Sequence, residues 1–300
     1  MRSSAHLLLG LMIVALPGCG DDAVSPPGPD TRIIAFSSGD DVNGGSAIFL
    51  MHADGTNQVQ LTSSGAHDKW PSWSPDGTMI AFESDRLGGE PISWMMNADG
   101  SDARVLAYGY DPRWSPDGTK LLYTGFDLQH DGILAVYIAN ADGSSPVRLT
   151  ANPTGDFRAA WSPDGKQIVF SAFPSGPDGN VALFIVNADG TGQRRLTYTS
   201  GSSDYAAWSP DGSRIAFEYH DANGSQEIHV IRVDGTNEQV LTPPRCASPS
   251  WSPDGNQIAY DCSIDRNPLQ IYVMNADGSD KRIIGTPRRY GSGPSWKPVP

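Results

Sequence analysis

The feature that most constrains the fold is a pentapeptide, Trp-Ser-Pro-Asp-Gly, which recurs through the chain at intervals of 41 to 47 residues. Five full copies and a shortened sixth, Trp-Lys-Pro, begin at Trp73, Trp114, Trp161, Trp208, Trp251 and Trp296. A second motif, x-x-Asp-Gly, occurs six times between them, at 52–55, 97–100, 140–143, 187–190, 232–235 and 275–278. Repetition at this period indicates an array of supersecondary units that bury their apolar faces against one another.

Both motifs are typical of β-turns. Ser can accept a hydrogen bond at the first position, Pro fixes the backbone of the second, and Gly takes the left-handed conformation at the end. We therefore expect each motif to close a hairpin, with a three-residue loop and a bulge at the glycine. The aspartates of the motifs then serve as turn acceptors, and the regularly spaced tryptophans as packing between repeats.

Apolar alternating segments such as 79–83, 167–171, 214–218 and 257–261 follow the Trp motif, and a second set runs into the x-x-Asp-Gly motif. A shorter segment follows that motif, and the residues before each Trp supply a fourth strand. Four strands per repeat, without helical periodicity, predict the blade of a β-propeller. The chain is thus expected to be all-β, with six four-stranded antiparallel blades over residues 32–300.

The way the ring closes can also be predicted. The first repeat begins with its second strand at Ile33, whereas the last Trp segment, at Trp296, has no repeat of its own. We expect the C-terminal strand to complete the blade that the N-terminal strand begins, which removes two open sheet edges.

The WSPDG and NADG pattern resembles the PD40 (WD40-like) repeats of the TolB propeller, and it is similar to the propeller halves of prolyl-oligopeptidase-type enzymes. The resemblance covers residues 32–300 and implies a propeller that binds or scaffolds. TolB proteins carry an α/β domain before the propeller and are soluble in the periplasm, whereas here a Pro- and Asp-rich stretch, 19–31, stands in that place. Its composition is that of a flexible tether.

The N-terminus has the pattern of an export signal. Met1-Arg2 precedes an apolar run over 7–16, and Leu16-Pro17-Gly18-Cys19 follows it. The run is too short to remain as a spanning helix, which needs roughly 20 residues. The Leu-x-Gly-Cys ending resembles the lipobox of bacterial lipoproteins, which implies a signal peptide over 1–18 and acylation of Cys19. The chain would then be exported and held at the cell envelope, on the periplasmic side or the outer membrane, by lipid alone. The alternative is an ordinary secretory signal with a chance cysteine.

Two further cysteines, Cys246 and Cys262, are equidistant from Asp254, in the middle of a Ser-Pro-Asp-Gly turn. Antiparallel pairing would place them opposite each other, within reach of a disulfide. The alternative is a one-residue bulge that leaves two thiols on opposite faces of the sheet.

Charge excludes one class of partner. The net charge is −13, and 29 of the 34 acidic residues are Asp, of which 11 lie in the two turn motifs. Nothing in the sequence resembles a basic stripe for neutralising phosphates, so a nucleic-acid partner is not expected.

Candidate binding residues follow from the geometry of a blade. The repeated turns crowd one end of the propeller, and the irregular loops and the links between blades lie at the other. Because the links lead into the innermost strands, their residues should ring the mouth of the central channel. These residues are His67, Asp68, Lys69, Trp70, Tyr110, Asp111, Arg113, Phe157, Arg158, Asp204, Tyr205, Arg245, Arg289 and Tyr290. Aromatic and charged side chains together suit an envelope protein, a peptide or a glycan, and the alternative is a solvated rim of local ion pairs.

Catalysis finds less support in the sequence. It has no Gly-x-Ser-x-Gly nucleophile motif, and His67, His130 and His220 fall on separate loops without the spacing of metal ligands. We therefore assign no catalytic residue, metal or cofactor, and expect a monomeric, non-catalytic binding propeller. The alternative is a metal-dependent polysaccharide lyase or hydrolase that uses the same loop-rich face.

Overall fold

The computed structural model describes residues 30–40, 45–62, 65–127, 132–173, 179–263, 269–284 and 291–299. These residues form 24 strands in six four-stranded sheets and contain no helix. The signal peptide and nearly all of the tether lie outside them, as does His130. Within the described segments no helix reaches the length and apolar character that a membrane crossing requires.

The strand bounds of the first three blades are β1 Ile33–Asp40, β2 Gly45–His52, β3 Val59–Gln60; β4 Lys69–Trp73, β5 Met79–Ser84, β6 Ile92–Asn97, β7 Arg104–Ala107; β8 Tyr110–Trp114, β9 Lys120–Phe126, β10 Leu134–Asn140, β11 Val147–Arg148. Those of the last three are β12 Asp156–Trp161, β13 Gln167–Ala172, β14 Ala182–Asn187, β15 Arg194–Arg195; β16 Ser202–Trp208, β17 Arg214–His220, β18 Gln226–Arg232, β19 Gln239–Val240; β20 Cys246–Trp251, β21 Gln257–Cys262, β22 Gln270–Asn275, β23 Arg282–Ile283. The last strand, β24 Gly291–Trp296, returns to blade 1.

Each blade is a four-stranded antiparallel meander, which confirms the predicted six-bladed propeller. Ring closure is confirmed as well, because β24 pairs antiparallel with β1 and places Trp296 opposite Ile34. The loops between the second and third strands of each blade, together with the links between blades, lie at one end of the propeller. We call this end the loop-rich face and the opposite end the turn face.

The two turn motifs differ in loop length. In the Asn-Ala-Asp-Gly turn, the amide of Asn97 donates to the carbonyl of Ser101 (2.9 Å), which leaves the expected three-residue loop. In the Ser-Pro-Asp-Gly turn, the amide of Ser74 donates to the carbonyl of Met79 (2.9 Å), so the loop holds four residues and the three-residue expectation is wrong there. The Ser74 hydroxyl accounts for the extra residue, because it accepts from the Met79 amide (2.9 Å) and donates to the Asp76 carboxylate (2.6 Å).

The blade cores repeat one packing unit. The second and third strands place an aromatic pair directly opposite each other, as in Phe36–Phe49 and Phe170–Phe184, with ring centroids 5.6 and 5.8 Å apart. Such cross-strand aromatic pairs stabilise antiparallel sheets. The motif tryptophans pack between blades, and several donate their indole N–H to the preceding blade. Trp208, for example, donates to the carbonyl of Ala160 at 3.2 Å.

Cys246 lies opposite Cys262 in the pairing of β20 with β21, and the two residues form a disulfide with their Cα atoms 4.1 Å apart. We predict that the mature protein has no titratable thiol at these positions under native, non-reducing conditions. Replacing both cysteines with serine should lower the free energy of unfolding by roughly 2–4 kcal/mol, because the unfolded chain loses a cross-link. Thiol titration and urea denaturation measure the two effects, and two reactive thiols in the folded wild-type protein would contradict the prediction.

Candidate functional site

The innermost strand of every blade departs from regular β geometry three residues before its motif Trp. The strand pairing shifts register there, and the backbone φ becomes positive, between 49° and 59°. The residues at this position are Trp70, Asp111, Arg158, Tyr205, Ser248 and Gly293. Left-handed conformation in five non-glycine residues costs on the order of 1 kcal/mol each, so it marks a site that the surrounding structure holds in place. The bulge directs all six residues to the central channel, which they line.

In four of the blades, a polar side chain on the second strand of the preceding blade accepts a hydrogen bond from the bulge amide. The amide of Arg158 donates to the Thr124 hydroxyl (3.1 Å), and the amide of Gly293 donates to the Asp261 carboxylate (3.0 Å). The Asp111 amide donates to the Glu83 carboxylate in the same way. These hydrogen bonds join neighbouring blades and hold the bulges in place, whereas the Tyr205 amide donates to Asp204 of its own strand (2.8 Å).

Two of the channel residues meet across the axis of the propeller. The innermost strands neighbour one another in chain order around the ring, so Trp70 in blade 2 and Tyr205 in blade 5 start from opposite sides. Their ring centroids lie 4.9 Å apart. The Arg158 side chain lies over Tyr205, 3.9 Å from the ring centroid, and forms an ion pair with Asp204. We call Trp70, Arg158 and Tyr205 the aromatic layer.

Because Gly293 has no side chain, the Trp70 indole can occupy the space beside it. A Cβ atom at position 293 would come within 2.5 Å of the indole ring, and φ there is +59°. Both facts favour glycine over any other residue. The closing strand β24 therefore shapes the channel as well as completing the ring.

The aromatic layer separates two cavities. The channel cavity, of about 340 Å³, opens towards the turn face and is lined by the motif tryptophans and prolines. The mouth pocket, of about 300 Å³, opens on the loop-rich face and is lined by Trp70, Glu83, Glu90, Pro91, Tyr110, Asp111, Phe126, Arg158 and Tyr205. Trp70, Asp111, Arg158 and Tyr205 line both cavities and so form the partition between them.

Burial and like charge dominate the electrostatics of the mouth pocket. Burial and, to a smaller extent, the neighbouring Asp111 carboxylate raise the pKa of Glu83 to about 7, against the hydrogen bond from the Asp111 amide and the charges of Lys69 and Arg158. Burial also raises the pKa of Tyr110 to about 12 and raises the pKa of Tyr205. Arg113 donates to Asp111 at 2.7 Å, so that carboxylate already has a cationic partner. Glu83 is left as the titratable carboxyl group of the pocket near neutral pH.

The structure brings together six of the fourteen residues that the sequence analysis placed at the channel mouth. These six line one or both cavities, and they are Trp70, Tyr110, Asp111, Arg113, Arg158 and Tyr205. Two more support them from behind: Asp204 is buried and pairs with Arg158, and Lys69 lies opposite Glu83 in the pairing of β4 with β5.

The remaining candidates lie elsewhere. Asp68 is fully buried and bonded to Arg86 (2.8 Å), and His67 is bonded to Asp85 (2.6 Å). Phe157 is buried with its ring centroid 5.5 Å from that of Phe173. Arg245 is exposed and lines neither cavity, and Arg289 and Tyr290 lie outside the described residues.

Glu83, Glu90 and Phe126 also line the mouth pocket, although they were not predicted from the sequence. One signal was visible, because the predicted strand 79–83 ends in a glutamate where an apolar or small residue would complete its buried face. An acid recurs at this strand position in Glu218 and Asp261, and both of these carboxylates accept a hydrogen bond from a bulge amide.

Two of the three histidines considered as metal ligands are paired with carboxylates. His67 pairs with Asp85 and His220 with Glu218, both at 2.6 Å, and the two pairs lie on different blades. Across the described segments, no group of three or more His, Cys, Asp or Glu side chains is arranged to hold a metal ion. The third histidine, His130, is outside these segments.

Comparison with known proteins agrees with this architecture. The family profile of the TolB beta propeller domain (PD40) matches residues 23–111 and 105–300. The Protein TolB homolog of Chlorobaculum tepidum is 36% identical over 123 residues, which are 40% of this chain but only 27% of that protein's length. The crystal structure of TolB from Acinetobacter baumannii superposes with a TM-score of 0.79 at 21% identity, covering 91% of this chain and 68% of that one.

A solved oligogalacturonate lyase in complex with manganese shares the fold more distantly, with a TM-score of 0.58 at 18% identity over 85% of this chain and 74% of that one. Likeness at these identities shows the fold alone. The family profile, by contrast, spans nearly all of the repeats, from which we conclude that the chain belongs to the TolB beta propeller (PD40) family.

Proposed function

We propose that this protein is a non-catalytic binding module of the cell envelope, anchored through an acylated Cys19, whose loop-rich face docks another envelope protein. The observation that carries the proposal is the distribution of exposed aromatic side chains. All four that the described residues contain, Tyr108, Phe126, Phe173 and Tyr198, lie on that face. Tyr108 and Tyr198 are 83% and 76% exposed. Exposed apolar groups clustered on one face of a monomer mark interaction surfaces, and aromatic residues are enriched there.

The rest of the surface supports the same reading. The other exposed apolar side chains are aliphatic. Most of them lie on the outer strands, as Val147 and Val240 do, and are scattered singly around the ring. The mouth pocket lies at the centre of the loop-rich face, so a docked protein would cover it. Family membership also favours a binding propeller over an enzyme, and the likeness to a lyase rests on fold alone.

Photo-crosslinking tests the docking face. With p-benzoylphenylalanine in place of Tyr108 or Tyr198, irradiation of intact cells should give discrete adducts with an envelope protein. The same residue at Val147 or Val240, which are 65% and 58% exposed, should give none. Adducts of equal yield at all four positions, or no adduct at Tyr108 and Tyr198, would overturn the proposal. Adducts that stain only for carbohydrate would assign a glycan instead of a protein.

Anchoring is tested separately. The Cys19→Ser variant should lose incorporation of labelled fatty acid and move from the membrane fraction to the soluble fraction of the envelope, because the thiol is the only acylation point that the Leu-x-Gly-Cys pattern offers. Cys246→Ser, which leaves that pattern intact, is the control and should remain with membranes. A Cys19→Ser protein that still sediments with membranes and carries label would show that the anchor is elsewhere.

A further inference from the structure

The mouth pocket combines aromatic rings with carboxylates. Four of its nine lining residues are aromatic, Trp70, Tyr110, Phe126 and Tyr205, and they come from four different strands or strand ends in three blades. The pocket also contains Glu83, Glu90 and Asp111. A ring face carries partial negative charge, so both groups of residues attract positive charge.

The cations already present leave part of this negative charge uncompensated. Arg158 forms an ion pair with Asp204 and lies over Tyr205, and Arg113 forms an ion pair with Asp111. The structure gives Glu83 a hydrogen bond from the Asp111 amide but no ion pair with any described residue. Lys69, its cross-strand neighbour, lowers the pKa of Glu83 through its charge without forming an ion pair among the described residues. Two carboxylates, Glu83 and Glu90, thus face the pocket without an ion pair, although the charges of Lys69 and Arg158 act on Glu83 from a longer distance.

The position of Arg158 shows that one ring of the pocket, Tyr205, attracts a cation. Its guanidinium carbon is 3.9 Å from the Tyr205 ring centroid, within the distance at which a cation is attracted to an aromatic face. Trp70 contacts the Tyr205 ring as well, with ring centroids 4.9 Å apart, and Phe126 in the pocket lining is half exposed. An anionic ligand would be repelled by Glu90 and, above about pH 7, by the ionised Glu83, whereas a cationic ligand would neutralise both carboxylates.

We propose that the mouth pocket binds the cationic side chain, lysine or arginine, of the protein segment that docks on the loop-rich face. This inference rests on the proposed function for the source of the cation, but the pocket itself can be tested with small molecules. The aromatic rings hold the alkyl or planar part of the side chain, and Glu83 and Glu90 neutralise its charge.

The probe is N-acetyl-arginine amide, with the uncharged isostere N-acetyl-citrulline amide as its control. Titration into ¹⁵N-labelled full-length protein should shift the indole N–H resonance of Trp70, assigned with Trp70→Phe, and give a dissociation constant in the millimolar range. We expect the citrulline probe to bind at least fivefold more weakly, because it stacks equally well and lacks the charge. Equal affinity for the two probes would overturn the inference.

Variants locate the charge that is responsible. Glu83→Gln and Glu90→Gln should each weaken the arginine probe about fivefold and leave the citrulline probe unchanged, whereas Asp280→Asn, on the exposed turn face, should alter neither. Gln at position 83 keeps an oxygen that can accept the hydrogen bond from the Asp111 amide. Glu90 is exposed, so Glu90→Gln should leave the fold intact. Unchanged affinity in both glutamate variants would contradict the proposal.

Binding should also tighten between pH 6 and pH 8, as Glu83 loses its proton, and Glu83→Gln should remove most of that dependence. The charged groups that face Glu83 are Asp111, Lys69 and Arg158, and Tyr110, with its pKa raised to about 12, stays neutral throughout. If the small probes fail while crosslinks form at Tyr108 and Tyr198, the cation site is wrong and the docking face stands. If the probes bind and no crosslink forms, the docking face is wrong and the cation site stands.

Discussion

Replacing Trp296 with alanine is expected to lower the free energy of unfolding by about 3–5 kcal/mol, the cost of truncating a large buried aromatic side chain. Trp296 is 5% exposed and packs in one cluster with Ile34 and Phe36. Its indole N–H donates to the carbonyl of Ser250 (3.1 Å), and Arg32 lies over its ring. The side chain thus joins the closing strand both to β1 and to the last blade, and its loss leaves a cavity at the only seam that chain connectivity does not span.

Urea denaturation at neutral pH measures this loss, and limited proteolysis tests whether the seam opens. The Trp296→Ala protein should be cut first within β24 or β1, while the other five blades stay protected. Tyr198→Ala, which truncates an aromatic side chain that is 76% exposed, is the control and should change the free energy of unfolding by less than about 0.5 kcal/mol. A Trp296→Ala protein as stable as this control would show that closure does not depend on the tryptophan.

The blade number and the closure could be predicted because they follow from local rules. A turn motif fixes where a hairpin reverses, the strand alternation fixes which side chains are buried, and counting motifs fixes the number of blades. The unequal ends of the repeat then require β24 to pair with β1. Only the loop length of the Ser-Pro-Asp-Gly turn was wrong, because a side-chain hydrogen bond of Ser74 decides it.

The site was harder to predict, because side-chain direction in the innermost strands depends on a bulge. A bulge reverses the alternation of side chains along a strand, so residues that are neighbours in sequence point to different places. Trp70 and Tyr205 reach the channel axis, whereas Asp68 and Phe157, from links of the same kind, are buried against Arg86 and Phe173. The six bulge residues share one position, three before the motif Trp, which a comparison of the repeats by position would have singled out.

The contact between Trp70 and Tyr205 cannot be predicted from any local sequence rule. The two residues are in opposite blades, and their contact depends on the diameter of the closed ring and on the absence of a side chain at Gly293. The closing strand therefore links stability to the site. Loosening β24 by Trp296→Ala should also free the Trp70 indole, which would appear as a broadened indole resonance.

The second large effect concerns Asp261, which is fully buried at the same seam. Burial raises its pKa to about 7, and repulsion from Glu218 adds to this, against hydrogen bonds from the Gly293 amide and Ser248. Between about pH 4 and pH 7 the folded protein retains a proton that the unfolded chain releases. Stability should therefore fall as pH rises through this window, by up to roughly 4 kcal/mol from this one group, and level off above pH 7.

Denaturation curves at pH 4.5, 6 and 8 measure this slope, and Asp261→Asn should make it shallower because asparagine keeps an acceptor for the Gly293 amide and carries no charge. Two other sets of groups titrate nearby. His220 is bonded to Glu218 and its pKa is raised, so its contribution to stability is lost as pH rises above 6.5. The pKa values of turn aspartates such as Asp76 are lowered, so their contribution is lost only as pH falls below 3.8. Neither set falls between pH 4.5 and 6, but the raised pKa values of Glu83, Asp156 and Asp204 give a slope of the same sign there. The contribution of Asp261 is therefore the difference between the wild-type and Asp261→Asn slopes, and equal slopes in that interval would show that the buried Asp261 carboxyl group is not a source.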